Sequence, residues 1–587
     1  MNITRATSDV KTFRSVVPLK DRKSLTGNFY KLYPVFHRWV NPSDIWRSTC
    51  EAFVRLQPML APPLTENNLR VRWFFVSLRQ VEPDLTPLII TGSNDGQLSE
   101  ETLPTFPSVW EPYVFSTDDN NIAITANSIG HILFNIPVGE YSVADAKVLN
   151  ESKSSPRLYW LKAFWRIIWD YYRDENMGFY AINSGIDSKF NMADYDSFED
   201  FWSEYIEYGM DNFGNGETIL ETEMPSVLLK KDYFTSSSPW ILKGVQPTIQ
   251  FQIENPTLTW NTTGASYVGS NNSKYLGFNY EGYGSSDPSG LGVHPQGLRP
   301  AGNVVLESTD IEKANDNIQA FLDNINIQAS GEVGFTMADF RDLSAQTKVL
   351  ERLARTGSRY TEYLRANFNI APADETLQRA VYLGGFKQNI LTNEVLQTGG
   401  DGDNPVGTMR GHGITFAKNS MTPYLAKEFG MLFAFADVRP NLVYTQGVSR
   451  EFTYASRYDF MNPSFQHLSE QGIRKGELFY GADTNTAGKP KNDEIFGFTG
   501  MYNEMRTGKE VMCGEFANGG AMSFWNQAIS FSSRPALSLG FLNGTNYNAD
   551  SQRPFGVNDV QSNPIIFDFV FKSSPARQLT KNPVPLP

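Results

Sequence analysis

Seven acidic and six aromatic residues lie close together between positions 194 and 211, which makes this the stretch most suggestive of chemistry. Two carboxyl groups beside aromatic rings could hydrolyse a glycosidic bond. The aromatic residues recur at helical spacing, however, so an amphipathic helix with an aromatic inner face and an acidic outer face is the simpler interpretation. We expect that helix to run from Ser197, its N-cap, to Asp211. The acids are Asp194, Asp196, Glu199, Asp200, Glu204, Glu207 and Asp211.

Other reactive residue types are scattered. The segment from Asp401 to Asn404 resembles part of a calcium loop but lacks its remaining ligands, so we interpret it as a polar turn. Cys50 and Cys513 are too few for a disulfide framework or a four-cysteine zinc site. Nucleotide-binding and hydrolase motifs are absent. We therefore expect no catalytic, metal or cofactor site. The histidines share no ligand spacing: His37, His131, His294, His412 and His467.

Positive charge is concentrated at the two ends of a chain whose net charge is −13. Residues 1–38 carry eight Lys and Arg against two Asp, and residues 571–587 carry three basic residues and no acid. A basic arm on an acidic body often contacts nucleic acid, and a solvated tail without a partner is the alternative. The candidate nucleic-acid contacts are Arg5, Lys11, Arg14, Lys20, Arg22 and Lys23.

Short runs of β-branched and aromatic residues bounded by Pro, Gly and Asn indicate a mainly β fold. Because no regular helices alternate with these runs, a sandwich or barrel is favoured over a parallel sheet. Three segments with helical spacing interrupt the strands. The predicted strands are 69–78, 132–138, 432–438 and 565–571, and the predicted helices are 156–176, 197–211 and 336–357.

The 587 residues, of which 40% are hydrophobic and 13% aromatic, suffice for two to four domains or for one fold with large insertions. Twenty of the 43 residues at 261–303 are Gly, Ser or Asn, with Tyr interspersed. This is the composition of adaptable recognition loops, and an inert insertion or disorder are the alternatives. The N-terminus lacks the apolar run of a secretory signal, and no stretch approaches the ~18 apolar residues of a membrane span. We expect a soluble product.

More than ten short blocks occur in an order that resembles the major capsid proteins of the Microviridae, small tailless phages with single-stranded DNA, and particularly the gokushovirus-like branch. The most specific block is Asp232–Trp240, which reads DYFTSSSPW where the family commonly has DYFTSALPW. The resemblance covers about residues 30 to 570. Other blocks are Pro34–Arg38, Asn41–Trp46, Arg55–Met59, Val71–Val76, Leu350–Arg352, Tyr382–Gly385, Gly411–Gly413, Val438–Pro440 and His467–Gln471.

This resemblance implies an all-β fold with helical insertions, namely an eight-stranded antiparallel jelly-roll β-barrel of the viral capsid type with long interstrand loops. It also implies a sixty-copy icosahedral T=1 shell around circular single-stranded DNA, made in the host cytoplasm, with other viral structural proteins as partners. The insertion at 245–310 would form a surface protrusion that binds a host receptor. The implied segments are a basic arm (1–38), a first jelly-roll part (39–244), the insertion, the remaining jelly roll (311–570, helical near 336–369) and a basic tail (571–587).

Two alternatives stay open at this point. The basic arm could clamp a neighbouring subunit rather than bind DNA. The whole chain could instead be a bacterial glycan-binding protein or glycosidase, which its aromatic content would also suit, although no pair of poised carboxylates can be identified from sequence. A protein that binds duplex nucleic acid through its body is disfavoured, because the chain beyond residue 38 is strongly acidic.

Overall fold

The computed structural model describes residues 14–82, 106–114, 121–174, 176–179, 191–211, 219–244, 257–259, 328–330, 337–355, 360–396, 398–399, 406–466, 470–517, 519–555 and 563–579. The chain divides into two compact units. The larger unit combines Met1–Lys243 with Glu351–Pro587, and the smaller is Gly244–Leu350.

Within these residues the strands are β1 (Ser15–Val16), β2 (Leu19–Gly27), β3 (Tyr33–Val40), β4 (Ile45–Trp46), β5 (Ser48–Leu56), β6 (Asn67–Ser77), β7 (Ile122–Ile124), β8 (Gly139–Tyr141), β9 (Thr257–Thr259), β10 (Gln328–Ser330), β11 (Val381–Leu396), β12 (Met409–Ser420), β13 (Tyr424–Leu425), β14 (Gly430–Pro440), β15 (Gln471–Arg474), β16 (Ile495–Thr499), β17 (Ile565–Ser573) and β18 (Ala576–Arg577). The helices are α1 (Leu78–Val81), α2 (Glu111–Val114), α3 (Ile129–Phe134), α4 (Val143–Glu151), α5 (Leu158–Tyr171), α6 (Phe198–Asp211), α7 (Met337–Arg355), α8 (Tyr360–Phe368), α9 (Leu539–Leu542) and α10 (Asn548–Gln552).

Eight long strands of the larger unit form one antiparallel sheet in the order β2-β17-β5-β12-β11-β6-β14-β3. The first four and the last four strands make two halves that are joined by the β11–β12 pairing. The terminal strands β2 and β3 follow one another in the chain, so the order closes on itself as in a jelly roll. The predicted eight-stranded antiparallel jelly roll with helical insertions is therefore confirmed. In the smaller unit, β9 pairs antiparallel with β10.

Aromatic side chains from both halves fill the interior of the jelly roll. The ring of Phe36 on β3 lies 4.7 Å from Phe571 on β17 and 5.3 Å from Trp73 on β6, measured between centroids. Strand β5 alternates buried and more exposed residues, as expected where only one face of a strand meets the core. Burial of such large rings supplies much of the driving force for folding.

Helix α5 covers the outer face of the half that contains β6 and β14. The ring of Trp160 lies 5.7 Å from Phe433, and Phe164 lies 5.5 Å from Phe435. Because β14 is covered on both faces, almost all of its side chains are buried, and its sequence is a nearly continuous apolar run. Helix α6 packs in turn on α5, with Trp165 at 5.3 Å from Tyr205.

The predicted strands at 69–78, 432–438 and 565–571 are confirmed as β6, β14 and β17, and the three predicted helices as α5, α6 and α7. The predicted strand at 132–138 is wrong, because its first three residues belong to helix α3 and the other four form no strand. The Ser128 side chain caps that helix by accepting a hydrogen bond from the His131 amide, and Asn135 ends it in the left-handed conformation. The cap and the left-handed stop outweigh the strand preference of the isoleucines.

Candidate functional site

Helix α6 carries the acidic and aromatic residues that raised the possibility of a glycosidase. Ser197 accepts a hydrogen bond from the Asp200 amide at 3.1 Å, which confirms the predicted N-cap. Phe201 and Tyr205 are buried, whereas Glu204 and Glu207 are exposed. The acids therefore line the outer face of an amphipathic helix, as the simpler interpretation predicts.

The described histidines lie in separate environments. His37 is mostly buried beside Trp160, and His131 forms a 2.8 Å hydrogen bond to the Ile136 carbonyl. His412 lies on β12. His294, His467 and the polar turn at 401–404 lie outside the described residues. Among the residues that the structure does describe, no group of three His, Cys, Asp or Glu side chains could hold a metal ion.

The most specific family block, Asp232–Trp240, builds a tight turn rather than a reactive site. The Asp232 carboxylate accepts hydrogen bonds from the amides of Phe234 (3.0 Å) and Thr235 (2.7 Å). The Tyr444 hydroxyl donates to its second oxygen at 2.8 Å. The neighbouring Tyr233 and Phe234 rings are buried, so this block anchors the segment after α6 to the segment after β14.

Two buried carboxylates, Glu477 and Glu504, hold the loop that begins at Arg450. Arg450 lies between Glu477 (3.7 Å) and Glu504 (3.6 Å) and donates to the Gly472 carbonyl at 2.7 Å. The Tyr233 hydroxyl lies 3.1 Å from the Glu477 carboxylate. Burial raises the pKa of Glu477, and the positive charge of Arg450 opposes that shift. These contacts hold the start of the loop in place.

Four large apolar side chains between residues 452 and 461 of this loop are exposed, and we call them the aromatic surface. All of its members are exposed, and the ring of Phe460 lies 5.7 Å from that of Tyr454 in the same loop. Because large exposed apolar patches mark interaction sites, this segment is a candidate for contact with a partner. The aromatic surface consists of Phe452, Tyr458, Phe460 and Met461.

The predicted nucleic-acid contacts have different positions. Arg5 and Lys11 lie outside the described residues, and Arg14 is exposed and donates to the Ser43 hydroxyl. Lys20 and Arg22 both occupy outward positions of β2, where Arg22 forms a 2.6 Å ion pair with Asp568. Residues 19–40 are thus mostly two strands of the main sheet.

Lys23 lies on the side of β2 opposite to Arg22, next to β3 and α3. Its ammonium group donates to the carbonyls of Pro34 (2.8 Å) and Ile132 (2.6 Å), and burial lowers its pKa to about 8. The group is therefore used within the protein. Residues 20–23 are all charged, so no alternation in the sequence signalled this division, which follows from the opposite directions of successive side chains in a strand.

The eight-stranded jelly roll with long interstrand insertions is an architecture of viral capsid proteins. A family model described as "Capsid protein (F protein)" matches residues 7–586, nearly the whole chain. The chain belongs to this capsid protein family, and it is a structural capsid protein.

Similar proteins from three phages agree with this assignment. The chain is 25% identical to "Capsid protein VP1" of Bdellovibrio phage phiMH2K, covering 95% of this chain and 93% of that protein. The identity to "Capsid protein VP1" of Chlamydia phage 1 is also 25%, over 94% and 92% of the two chains. For Spiroplasma virus 4 it is 23%, over 98% and 94%. The resemblance to gokushovirus-like Microviridae capsid proteins is thereby confirmed. None of the helices in the described ranges is long and apolar enough to cross a membrane.

Proposed function

We propose that sixty copies of this chain assemble into a closed T=1 icosahedral shell around a circular single-stranded DNA genome, without enzymatic activity of their own. The observation that carries the proposal is the family match over residues 7–586 together with the eight-stranded jelly roll. The shell would assemble in the host cytoplasm and, with other viral structural proteins, form the virion. Sedimentation of assembled material tests it, because sixty chains of 66.0 kDa have a mass of about 4 MDa.

The aromatic surface is our candidate for a contact between subunits. Aromatic residues and Met are enriched in the buried centres of protein interfaces, and Phe452 is 83% exposed in the single chain. We expect Phe452→Ala combined with Phe460→Ala to abolish particle formation while the unassembled chain keeps its fold. The matched control is Phe368→Ala, which removes an exposed ring from α8. Equal loss of particles in both variants would remove the assigned role of the aromatic surface.

The N-terminal basic residues are proposed to neutralise packaged DNA, with Arg5, Lys11, Arg14, Lys20 and Arg22 as the contacts. Lys23 was among the predicted contacts, but its hydrogen bonds within the protein argue against its availability. Deletion of residues 1–13 removes two of the cations without touching β2. We expect particles of this variant to retain DNA less well as salt increases. If assembly fails and DNA binding by the free chain is unchanged, the arm instead clamps a neighbouring subunit.

Residues 245–310 are proposed to form a surface protrusion that attaches to a host receptor. Apart from Thr257–Thr259, they lie outside the described residues. Their Gly, Ser, Asn and Tyr content and their inclusion in the smaller unit support the proposal. Replacing residues 261–303 by a short Gly/Ser linker should leave particle assembly intact and reduce adsorption to host cells. Unchanged adsorption by intact particles would contradict the assignment.

A further inference from the structure

Strands β2, β17, β5 and β12 form one half of the jelly roll, and their outward residues share a single face. The pairing places Arg22 beside Val570, Val570 beside Glu51, and Glu51 beside Lys418. The alternate residues of these strands, such as Phe567 and Val54, point into the core. We call this outward surface the basic face.

Cations outnumber carboxylates on the basic face, although the chain as a whole is acidic. Six cations and two carboxylates occupy its outward positions, a surplus of four positive charges on a chain with a net charge of −13. The carboxylates are Glu51 and Asp568, and the cations are Lys20, Arg22, Arg55, Arg410, Lys418 and Lys572.

The two carboxylates hold cations in place without covering them. Glu51 lies 2.9 Å from Lys418 and 2.7 Å from Lys572, yet these lysine side chains remain 58% and 53% exposed. Asp568 likewise pairs with Arg22, which is also mostly exposed. Such pairs contribute little to stability at a solvated surface, so a polyanion could bind these cations at small cost.

Aromatic rings lie among these cations. Phe416 on β12 is 62% exposed and is directly opposite Phe53 on β5. The guanidinium carbon of Arg55 lies 5.6 Å from the centroid of the Phe53 ring. Rings interspersed with cations on an open surface suit single-stranded nucleic acid, because unpaired bases stack on the rings while the phosphates meet the cations. A duplex could use only the cations.

We propose that the basic face is where this subunit binds single-stranded DNA, with Phe416 as a stacking platform and Lys20, Arg55 and Arg410 among the phosphate contacts. This inference rests on the proposed function, in which the shell encloses single-stranded DNA. It goes further by placing the contact on four sheet strands that are far apart in sequence rather than on the N-terminal arm alone.

Binding of a labelled single-stranded oligonucleotide of about 16 nucleotides to the unassembled full chain tests this placement. A plot of log affinity against log salt concentration has a negative slope, to which each phosphate contact on a single strand contributes about 0.7. The triple variant Lys20→Gln/Arg55→Gln/Arg410→Gln should make this slope less steep by about 2. The control triple Lys147→Gln/Lys153→Gln/Lys489→Gln removes exposed lysines elsewhere on the chain and should leave the slope unchanged.

The Phe416→Ala variant tests stacking separately from charge. It should weaken binding of the single strand by about 5- to 150-fold, the loss expected for one stacked base, with no change in the salt slope. A duplex of the same length should bind wild type and this variant equally. An unchanged affinity for the single strand, or an equal loss of affinity for the duplex, would overturn the stacking role.

Other outcomes would overturn the placement as a whole. An equal decrease of the slope in the control triple would mean that the charge effect is not local to the basic face. Displacement of the oligonucleotide from this face by an acidic polypeptide at lower concentration would make a protein its occupant. If wild type forms no closed particles, the proposed function fails, whereas the binding measurements still decide the face. If particles form and the basic-face triple packages as much DNA as wild type, this inference fails alone.

Discussion

His37 gives the packing of the jelly roll a measurable dependence on pH. Its ring meets the edge of Trp160 on α5 at 5.7 Å, and its Nδ1 atom has no hydrogen-bond partner within the described structure. Burial lowers the pKa of His37 to about 4, and the nearby charges of Lys23 and Arg38 act in the same direction, against Asp21.

The folded protein therefore binds fewer protons than the unfolded chain, in which a histidine has a pKa of about 6.5. The stability associated with neutral His37 is present above pH 6.5 and is lost as the pH falls towards 4. Because each unit of pKa corresponds to about 1.4 kcal/mol, the loss at pH 4 amounts to about 3 kcal/mol.

The variant His37→Phe keeps an aromatic ring against Trp160 and cannot take up a proton. We expect it to lose about 3 kcal/mol less stability than wild type between pH 7 and pH 4, measured on the unassembled chain by urea unfolding with tryptophan fluorescence. The His412→Gln variant, on β12, serves as the control and should follow wild type. If the difference between wild type and His37→Phe is the same at pH 7 and pH 4, the burial of His37 against α5 is refuted.

Three further substitutions test the core and the turns. Asp437→Ala leaves the partly buried guanidinium groups of Arg70 and Arg439 without the buried carboxylate that they share, and should destabilise the chain by about 3–5 kcal/mol in urea unfolding. Gly447→Ala places a methyl group 1.9 Å from a backbone oxygen and should cost about 1–3 kcal/mol, whereas Gly508→Ala meets open space and should stay within about 0.5 kcal/mol of wild type. Phe164→Ala empties the contact between α5 and β14 and should lower stability by about 3–5 kcal/mol. A melting temperature unchanged from wild type in any of the three destabilised variants would contradict the corresponding contact.

Local sequence patterns predict elements well where burial alone decides the structure. Strand β14 was predictable because both of its faces are covered, which leaves an uninterrupted apolar run. Helix α6 was predictable from its spacing and its cap. The run at 132–138 failed because Ser128 and Asn135, each a single residue, set the limits of a helix inside a sequence rich in isoleucine.

The candidate site depends on pairings that no local pattern contains. Charged residues near the N-terminus suggested an arm, but Lys20 belongs to β2 and lies opposite Lys572 of β17, more than five hundred residues away in the sequence. Only that register brings the basic residues of both termini onto one surface and sends Lys23 to the other side of β2. The resemblance implied the fold, whereas the basic face follows only from the pairing of its four strands.

Sedimentation combined with electron microscopy of the purified chain under assembly conditions tests the central claim most directly. We predict closed particles of uniform size with a protein mass of about 4 MDa, as expected for sixty chains of 66.0 kDa. A chain that remains a 66.0 kDa monomer under these conditions, or that forms only open aggregates, would contradict its proposed assembly into a closed shell.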